Sequence, residues 1–187
     1  MTNALKDFSS AFKGSALAPA DPGYDEARQI WNARAEAQRP ALIVQPTDPD
    51  DVVIAVQYAK AESLSITARG GGHGVDCTAM ADGALVLDFS RMKAIEVDPA
   101  TNRATLEAGV RLGEMDAGLQ EHGLVVPAGV VTTTGVAGLT LGGGIGHLTR
   151  RFGATVDNLL AIEAVTAEGE KVTASADSNP ELFWGMR

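Results

Sequence analysis

Cysteine is nearly absent: Cys77 stands alone in 187 residues, so no disulfide can close within the chain. Aromatic residues make up 5%, few for a protein that stacks on many bases. Positive charge is short as well. The 15 lysines and arginines face 24 carboxylates, a formal net charge of −9, and Arg150-Arg151 is the nearest thing to a basic cluster. Phosphate backbones need a basic footprint, so no nucleic-acid partner is expected. No apolar run approaches the ~20 residues of a membrane helix. Lys6, Asp7 and Lys13 interrupt the stretch from Met1 to Leu17 where a signal core would lie. These missing signals lead us to expect a cytoplasmic protein with no membrane partner. His73, His122, His147 and Cys77 match no usual ligand spacing, so no metal site is expected.

What is present reads as an ordinary globular chain, 45% hydrophobic and 21% charged. Residues 1–23 mix Ala, Ser and Pro and are expected to drape over the surface. Tyr24 to Arg39 reads as a helix ended by Pro40, and Ala41-Leu42-Ile43-Val44 as a buried strand. Thr47-Asp48-Pro49-Asp50 resembles a capping box, after which Val52, Val53, Val56 and Ala59 repeat at helical spacing. The strand Leu64-Ser65-Ile66-Thr67 then runs into a glycine loop. Residues 84–88, 94–97 and 103–108 look like consecutive strands, the last two joined by the turn Asp98-Pro99-Ala100-Thr101-Asn102. A helix from about Arg111 to His122 stops at Gly123. Glu168-Gly169 is the turn of a hairpin. Together these predict an α+β fold: a small strand–helix–strand unit followed by an antiparallel-rich unit.

Two glycine clusters dominate. The first is Gly70-Gly71-Gly72-His73-Gly74; the second runs from Gly135 through Gly138, Gly142, Gly143 and Gly144 to Gly146. Glycine lets backbone amides approach a ligand closely, and successive amides form a concave anion site suited to a pyrophosphate. An acidic chain could hold an anionic cofactor this way, with Arg69 adding a positive charge beside the first loop. Tight turns and close helix–sheet packing are the competing explanation. Neither cluster is a common nucleotide fingerprint: the run from Gly144 lacks the last glycine of a dinucleotide motif, and no phosphate-loop Gly-Lys-Ser/Thr occurs.

The residues resemble the FAD-linked oxidases with a vanillyl-alcohol-oxidase or PCMH-type flavin domain, in particular the berberine-bridge-like and 6-hydroxynicotine-oxidase-like branch. The most specific likeness lies in Arg69-Gly70-Gly71-Gly72-His73-Gly74 and in the stretch from Thr134 to Gly146. Trp31-Asn32, Arg151-Phe152-Gly153, Asp157-Asn158-Leu159-Leu160 and Pro180-Glu181-Leu182-Phe183-Trp184 extend it. The resemblance implies a two-subdomain PCMH-type FAD-binding domain over residues 38–187, with residues 1–37 as an N-terminal extension and helix. It implies FAD as cofactor, cradled by Arg69, Gly70, Gly71, Gly72 and Gly74, with His73 joined to the 8α carbon of the flavin. Thr133, Thr134, Gly135, Gly138, Gly142, Gly143, Gly144 and Gly146 would line the same cofactor. The strand to Val165 would approach its adenine end. Val131 falls where some relatives carry a second flavin-bonding cysteine, so one covalent link is expected; Cys77 does not match that position.

Family chains continue into a further flavin-domain strand, a substrate domain and a C-terminal return. Their catalytic bases come from those parts, so no catalytic residue is assigned here; Glu107, Asp76 and Asp88 are expected to be surface or turn carboxylates. The resemblance implies an oxidase that moves a hydride from an alcohol, sugar or amine-like small molecule to flavin, with molecular oxygen reduced to peroxide. The alternative is a flavin-binding module or fragment without turnover of its own, prone to self-association.

Overall fold

A four-stranded sheet is built on two uninterrupted apolar runs. Its strands are Ser15–Leu17 (β1), Leu42–Gln45 (β2), Ile66–Arg69 (β3) and Leu85–Asp88 (β4), in the spatial order β1-β2-β4-β3. The computed structural model describes residues 8–187. β4 pairs in parallel with both β2 and β3, Leu42 and Ile66 each standing opposite Leu85, while β1 closes the β2 edge antiparallel. Side chains alternate across a strand, so the two faces separate cleanly. Leu42, Val44, Leu85 and Leu87 face the helix Pro49–Ala61, packing on Val52, Ala55, Val56 and Ala59. Ile43 and Val86 face the other way, onto Tyr24, Ala35 and Met80.

That double burial explains a departure from the expected order. The sequence pattern groups residues 84–88 with the later antiparallel strands, yet β4 is inserted at the centre of the first sheet. Leu85, Val86 and Leu87 are apolar on both faces, and only a sheet covered on both sides can bury all three. Residues 8–23 also depart from expectation. Phe8 is buried and packs on Phe12 and Tyr58, and β1 belongs to the sheet. The rest of that segment, residues 1–7, lies outside the described residues.

The expected helix over 24–39 shrinks to Tyr24–Ala27 (α1) and a 3-10 turn at Ala33–Ala35. The Trp31 amide donates to Gly72 O instead of to a helical carbonyl, and the Asn32 side chain caps the turn by accepting from Arg34 N. At Pro49–Ala61 (α2) the cap falls one residue later than expected: Asp48 accepts from Asp51 N at 2.9 Å. Asp51, fully buried, in turn accepts from Thr47 N, Thr47 Oγ1 and Lys13 N, tying the N-terminal segment to the helix.

The second half holds two antiparallel hairpins. Ile95–Asp98 (β5) pairs with Arg103–Leu106 (β6), its turn carrying Asn102 at φ 53°. The helix Leu112–Gln120 (α3) buries Leu112, Met115 and Leu119 with Val110 and Val136 beside that hairpin, and the chain leaves it through Gly123 in a left-handed conformation. Short helices Val136–Leu141 (α4) and Thr149–Phe152 (α5) follow. Ala161–Val165 (β7) and Lys171–Ser175 (β8) form the second hairpin, which ion pairs Lys60–Glu168 and Lys171–Asp50 hold against α2. Pro180–Gly185 (α6) is the last helix of the described residues. Among the described residues no helix is long and apolar enough to cross a membrane, and no three His, Cys, Asp or Glu residues gather as metal ligands.

Candidate functional site

β3 delivers the chain to the first glycine cluster. Residues 70–74 leave its end as a loop that is held on both flanks of His73: Trp31 N donates to Gly72 O at 3.0 Å, and Asn32 Nδ2 donates to Val75 O at 2.8 Å. Gly72 has φ 70°, where a side chain would be strained. The Trp31 indole stacks on the His73 imidazole, centroids 5.7 Å apart and planes 16° off parallel. On its edge, His73 Nε2 lies 2.9 Å from Thr133 Oγ1.

Thr133 belongs to the approach to the second cluster, and backbone hydrogen bonds stitch that approach to the start of α3. Gly113 N donates to Thr132 O, Leu112 N to Thr134 O, and Val136 N to Val110 O, each at 2.9 Å. The two clusters then cross in contact. A Cβ on Gly71 would stand 2.8 Å from Gly135 Cα and 2.9 Å from Thr133 O; a Cβ on Gly135 would stand 3.0 Å from Gly71 Cα. Beyond α4 the strand of glycines folds onto the Thr155 turn, with Thr155 N donating to Gly144 O and Val156 N to Gly143 O. Gly144 and Gly146 are hemmed in, by Thr155 and by the Ala128 carbonyl. Gly138 and Gly143 face open space: a methyl group added at either would meet nothing within 4 Å. The glycines thus differ in their surroundings. Gly71, Gly135, Gly144 and Gly146 permit backbone packing, while Gly138 and Gly143 leave room above the surface.

Asp88 corrects an expectation. It does cap the turn at Phe89–Arg91, accepting from Ser90 N and Ser90 Oγ, but it is 1% exposed rather than on the surface, and it also accepts from Gln45 Nε2. Arg69 Nη1 stands 3.7 Å from it and also donates to the Ala27 carbonyl. The Arg69 charge is thus anchored beneath the first loop. Asp76 does serve a turn, accepting from Thr78 Oγ1, whereas Glu107 accepts from Ala94 N across the open end of the β5–β6 hairpin. Val165 is partly buried against the core that α2 forms with the first sheet. Cys77 is half-buried beside Val75, and Val131 is exposed.

Two buried polar atoms have no hydrogen-bond partner among the described residues: Arg69 Nε and Thr155 Oγ1. One lies against each glycine cluster, since Arg69 Nε borders Gly72 and Thr155 borders Gly144. The profile of a family described as an FAD binding domain matches residues 40–175. The chain belongs to this FAD-binding family. It is 38% identical over 177 residues to (R)-6-hydroxynicotine oxidase from Paenarthrobacter nicotinovorans, covering 95% of this chain and 38% of that protein. Among solved structures, a BBE-like protein from Physcomitrella patens superposes over 100% of this chain and 40% of its own, with a TM-score of 0.94 at 35% identity. A glucooligosaccharide oxidase from Acremonium strictum, with a 6-S-cysteinyl, 8α-N1-histidyl FAD, matches with a TM-score of 0.92 at 31% identity over 100% of this chain and 39% of its own. The chain thus spans about two fifths of the length of these relatives.

The residues present fit FAD. The clearance at Gly138 and Gly143 gives a flat cofactor access to the backbone, and the orphaned Arg69 Nε leaves one cationic donor unsatisfied beneath the first loop. An anion can be met by amides and one buried guanidinium on a chain of net charge −9. Composition and spacing give no role to Trp31, Asn32 or Thr155. The first two are visible in sequence only as part of a family likeness, because a lone Trp-Asn pair carries no period or spacing that points to a loop so far along the chain.

Proposed function

We propose that this chain is the flavin-holding part of an FAD-linked oxidase, and that His73 carries the flavin covalently at its 8α carbon. The observation that supports this most is the placement of His73: its ring sits where the two glycine clusters meet, stacked by Trp31 and hydrogen-bonded at Nε2 to Thr133. A histidine on a solvated loop would have no reason for such a setting. The chemistry FAD supplies when bound is acceptance of a hydride from a small alcohol, sugar or amine-like molecule, with molecular oxygen as the final acceptor. The names of the relatives, a 6-hydroxynicotine oxidase and a glucooligosaccharide oxidase, support that range of substrates.

The chain's own contribution is binding and orientation. Residues 70–74 and 135–146 offer backbone amides to the phosphates, the Gly71–Gly135 contact holds the two segments together, and Arg69 lends charge from below. Val131 stands at the position where a second, cysteinyl link would form, so the proposal includes a single bond. Acid precipitation of the full-length holoprotein tests it. Yellow fluorescence is expected to stay with the pellet and to wash out in His73→Ala. Peptide mapping should find one flavin-bearing peptide, containing His73. Covalent flavin retained in His73→Ala, or mapped to Cys77, refutes the assignment.

A further inference from the structure

We propose that Asn32 is a positioning residue for cofactor binding: its side-chain amide fixes the far end of the first glycine loop, so that the loop's free amides are set for the phosphates of FAD before FAD arrives. This rests on the reading of residues 70–74 as the cradle. Two carbonyls of the loop turn toward the segment before β2, Gly72 O accepting from Trp31 N at 3.0 Å and Val75 O from Asn32 Nδ2 at 2.8 Å. A trans peptide carries its C=O and the next N–H on opposite sides. Holding Gly72 O therefore turns the His73 N–H away from Trp31. Between the two held carbonyls the amides of His73, Gly74 and Val75 donate to no described residue, and they remain for a ligand.

The two ends of the Asn32 side chain do separate work. Oδ1 caps the 3-10 turn by accepting from Arg34 N at 3.1 Å, while Nδ2 reaches Val75, 43 positions further along the chain. Capping needs only the oxygen, and Asp or Ser would supply it as well. The amide nitrogen adds a donor that neither of those residues has. The segment behind it is fixed by contacts of its own. The buried Tyr24 hydroxyl donates to Pro40 O at 2.6 Å, Arg28 Nη1 donates to Glu36 O at 2.6 Å, and Arg69 Nη1 donates to Ala27 O. Ile30 lies against Gly72. The clamp thus stands on a rigid base while it grips a loop rich in glycine.

Glycine loses more backbone freedom on ordering than any other residue, so a run with four of them is costly to immobilise when a ligand binds. Ordering the loop in advance removes that cost from the binding step. The coupling is reciprocal: whatever holds the loop ready for FAD is itself held more firmly once FAD is bound. Binding at residues 70–74 is therefore expected to tighten the Trp31–Gly72 and Asn32–Val75 hydrogen bonds.

The full-length protein carrying His73→Ala, in which the flavin stays exchangeable, is the parent for the test. Asn32→Asp keeps the oxygen that caps Arg34 N and removes the donor to Val75 O, whereas Asn32→Ala removes both. Each is expected to bind FAD about tenfold more weakly in a fluorescence titration, the worth of one hydrogen bond. Without FAD, only Asn32→Ala should melt clearly lower, by roughly 2–4 °C for the lost cap, with Asn32→Asp close to the parent. Hydrogen exchange should show FAD slowing the amides of residues 72–75 and of Trp31 in the parent, and faster exchange of the same amides in flavin-free Asn32→Asp. Parent-like FAD affinity in Asn32→Asp, with residues 72–75 still protected by FAD, overturns the role of Asn32. Asn32→Asp melting as low as Asn32→Ala makes the residue merely structural and overturns it too. A parent that binds no FAD, or binds it and leaves residues 70–75 unprotected, refutes the cradle itself and the proposal with it.

Discussion

Replacing Gly71 by alanine puts a methyl group into the place where the two glycine clusters touch. The new carbon would lie 2.8 Å from Gly135 Cα and 2.9 Å from Thr133 O, and closer still to Gly135 N. An ordinary contact needs about 3.4 Å or more, so the segments must part by more than about 0.6 Å. Every obstructing atom is backbone, and the second segment is itself pinned to α3 through Thr132 O, Thr134 O and Val136 N, so no side chain can swing aside. Overpacking of that kind costs about 1–3 kcal/mol, here toward the upper end. For a chain of this length, about 2–3 kcal/mol lowers Tm by roughly 4–12 °C. The same displacement draws Thr133 Oγ1 off His73, so FAD retention should fall too. Gly138→Ala is the control. Gly138 lies within α4 with nothing within 4 Å, so alanine there should raise stability by about 0.5–1 kcal/mol. If that space admits the cofactor, the same variant should bind FAD more weakly while being the more stable apoprotein. Thermal melts without ligand and flavin-fluorescence titrations read the two effects separately. Unchanged stability in Gly71→Ala would refute the loop crossing. Undiminished FAD affinity in Gly138→Ala would refute the reading of that opening as cofactor space.

Asp88→Ala strands the Arg69 guanidinium, which is only 15% exposed, and should cost about 3–5 kcal/mol by chemical denaturation. Asp88→Asn combined with Arg69→Met should lose less than Asp88→Ala, because no buried charge is left unpaired; additive losses would show that the pair is not coupled. Glu114 caps α3 by accepting from Arg111 N at 2.8 Å and pairs with Lys93. Burial works to raise its pKa, but the Lys93 ammonium and the Arg111 amide outweigh it and hold the carboxyl below the usual range. Its folded pKa is thus depressed, so its stabilisation is present above the unfolded value of about 4.3 and is lost as pH falls through the folded one. Glu114→Gln should flatten that acid limb of a stability–pH curve, and an unchanged limb would contradict the assignment.

Much of the fold is legible from short stretches. Leu42 to Val44 and Leu85 to Leu87 read as strands, although not which sheet the second would join, Pro49 after Asp48 starts a helix, and Gly123 ends one. Such features are local: they follow from side-chain period, φ preference and capping, which residues a few positions apart decide among themselves. The two glycine clusters and His73 stand out for the same reason. Tertiary structure decided what those clusters meet. That Gly71 crosses Gly135, that Thr133 takes the edge of His73, and that Trp31 gives up a helical hydrogen bond to hold Gly72 depends on segments far apart in the chain coming together. Asp88 shows the same divide. Its carboxylate looks like a turn residue in sequence, yet β4 enters the centre of the sheet and carries it into the interior, where Gln45, Ser90 and Arg69 must satisfy it. Burial is a property of the assembled layers, and no local pattern encodes which charged residue at the end of a strand will be the one enclosed.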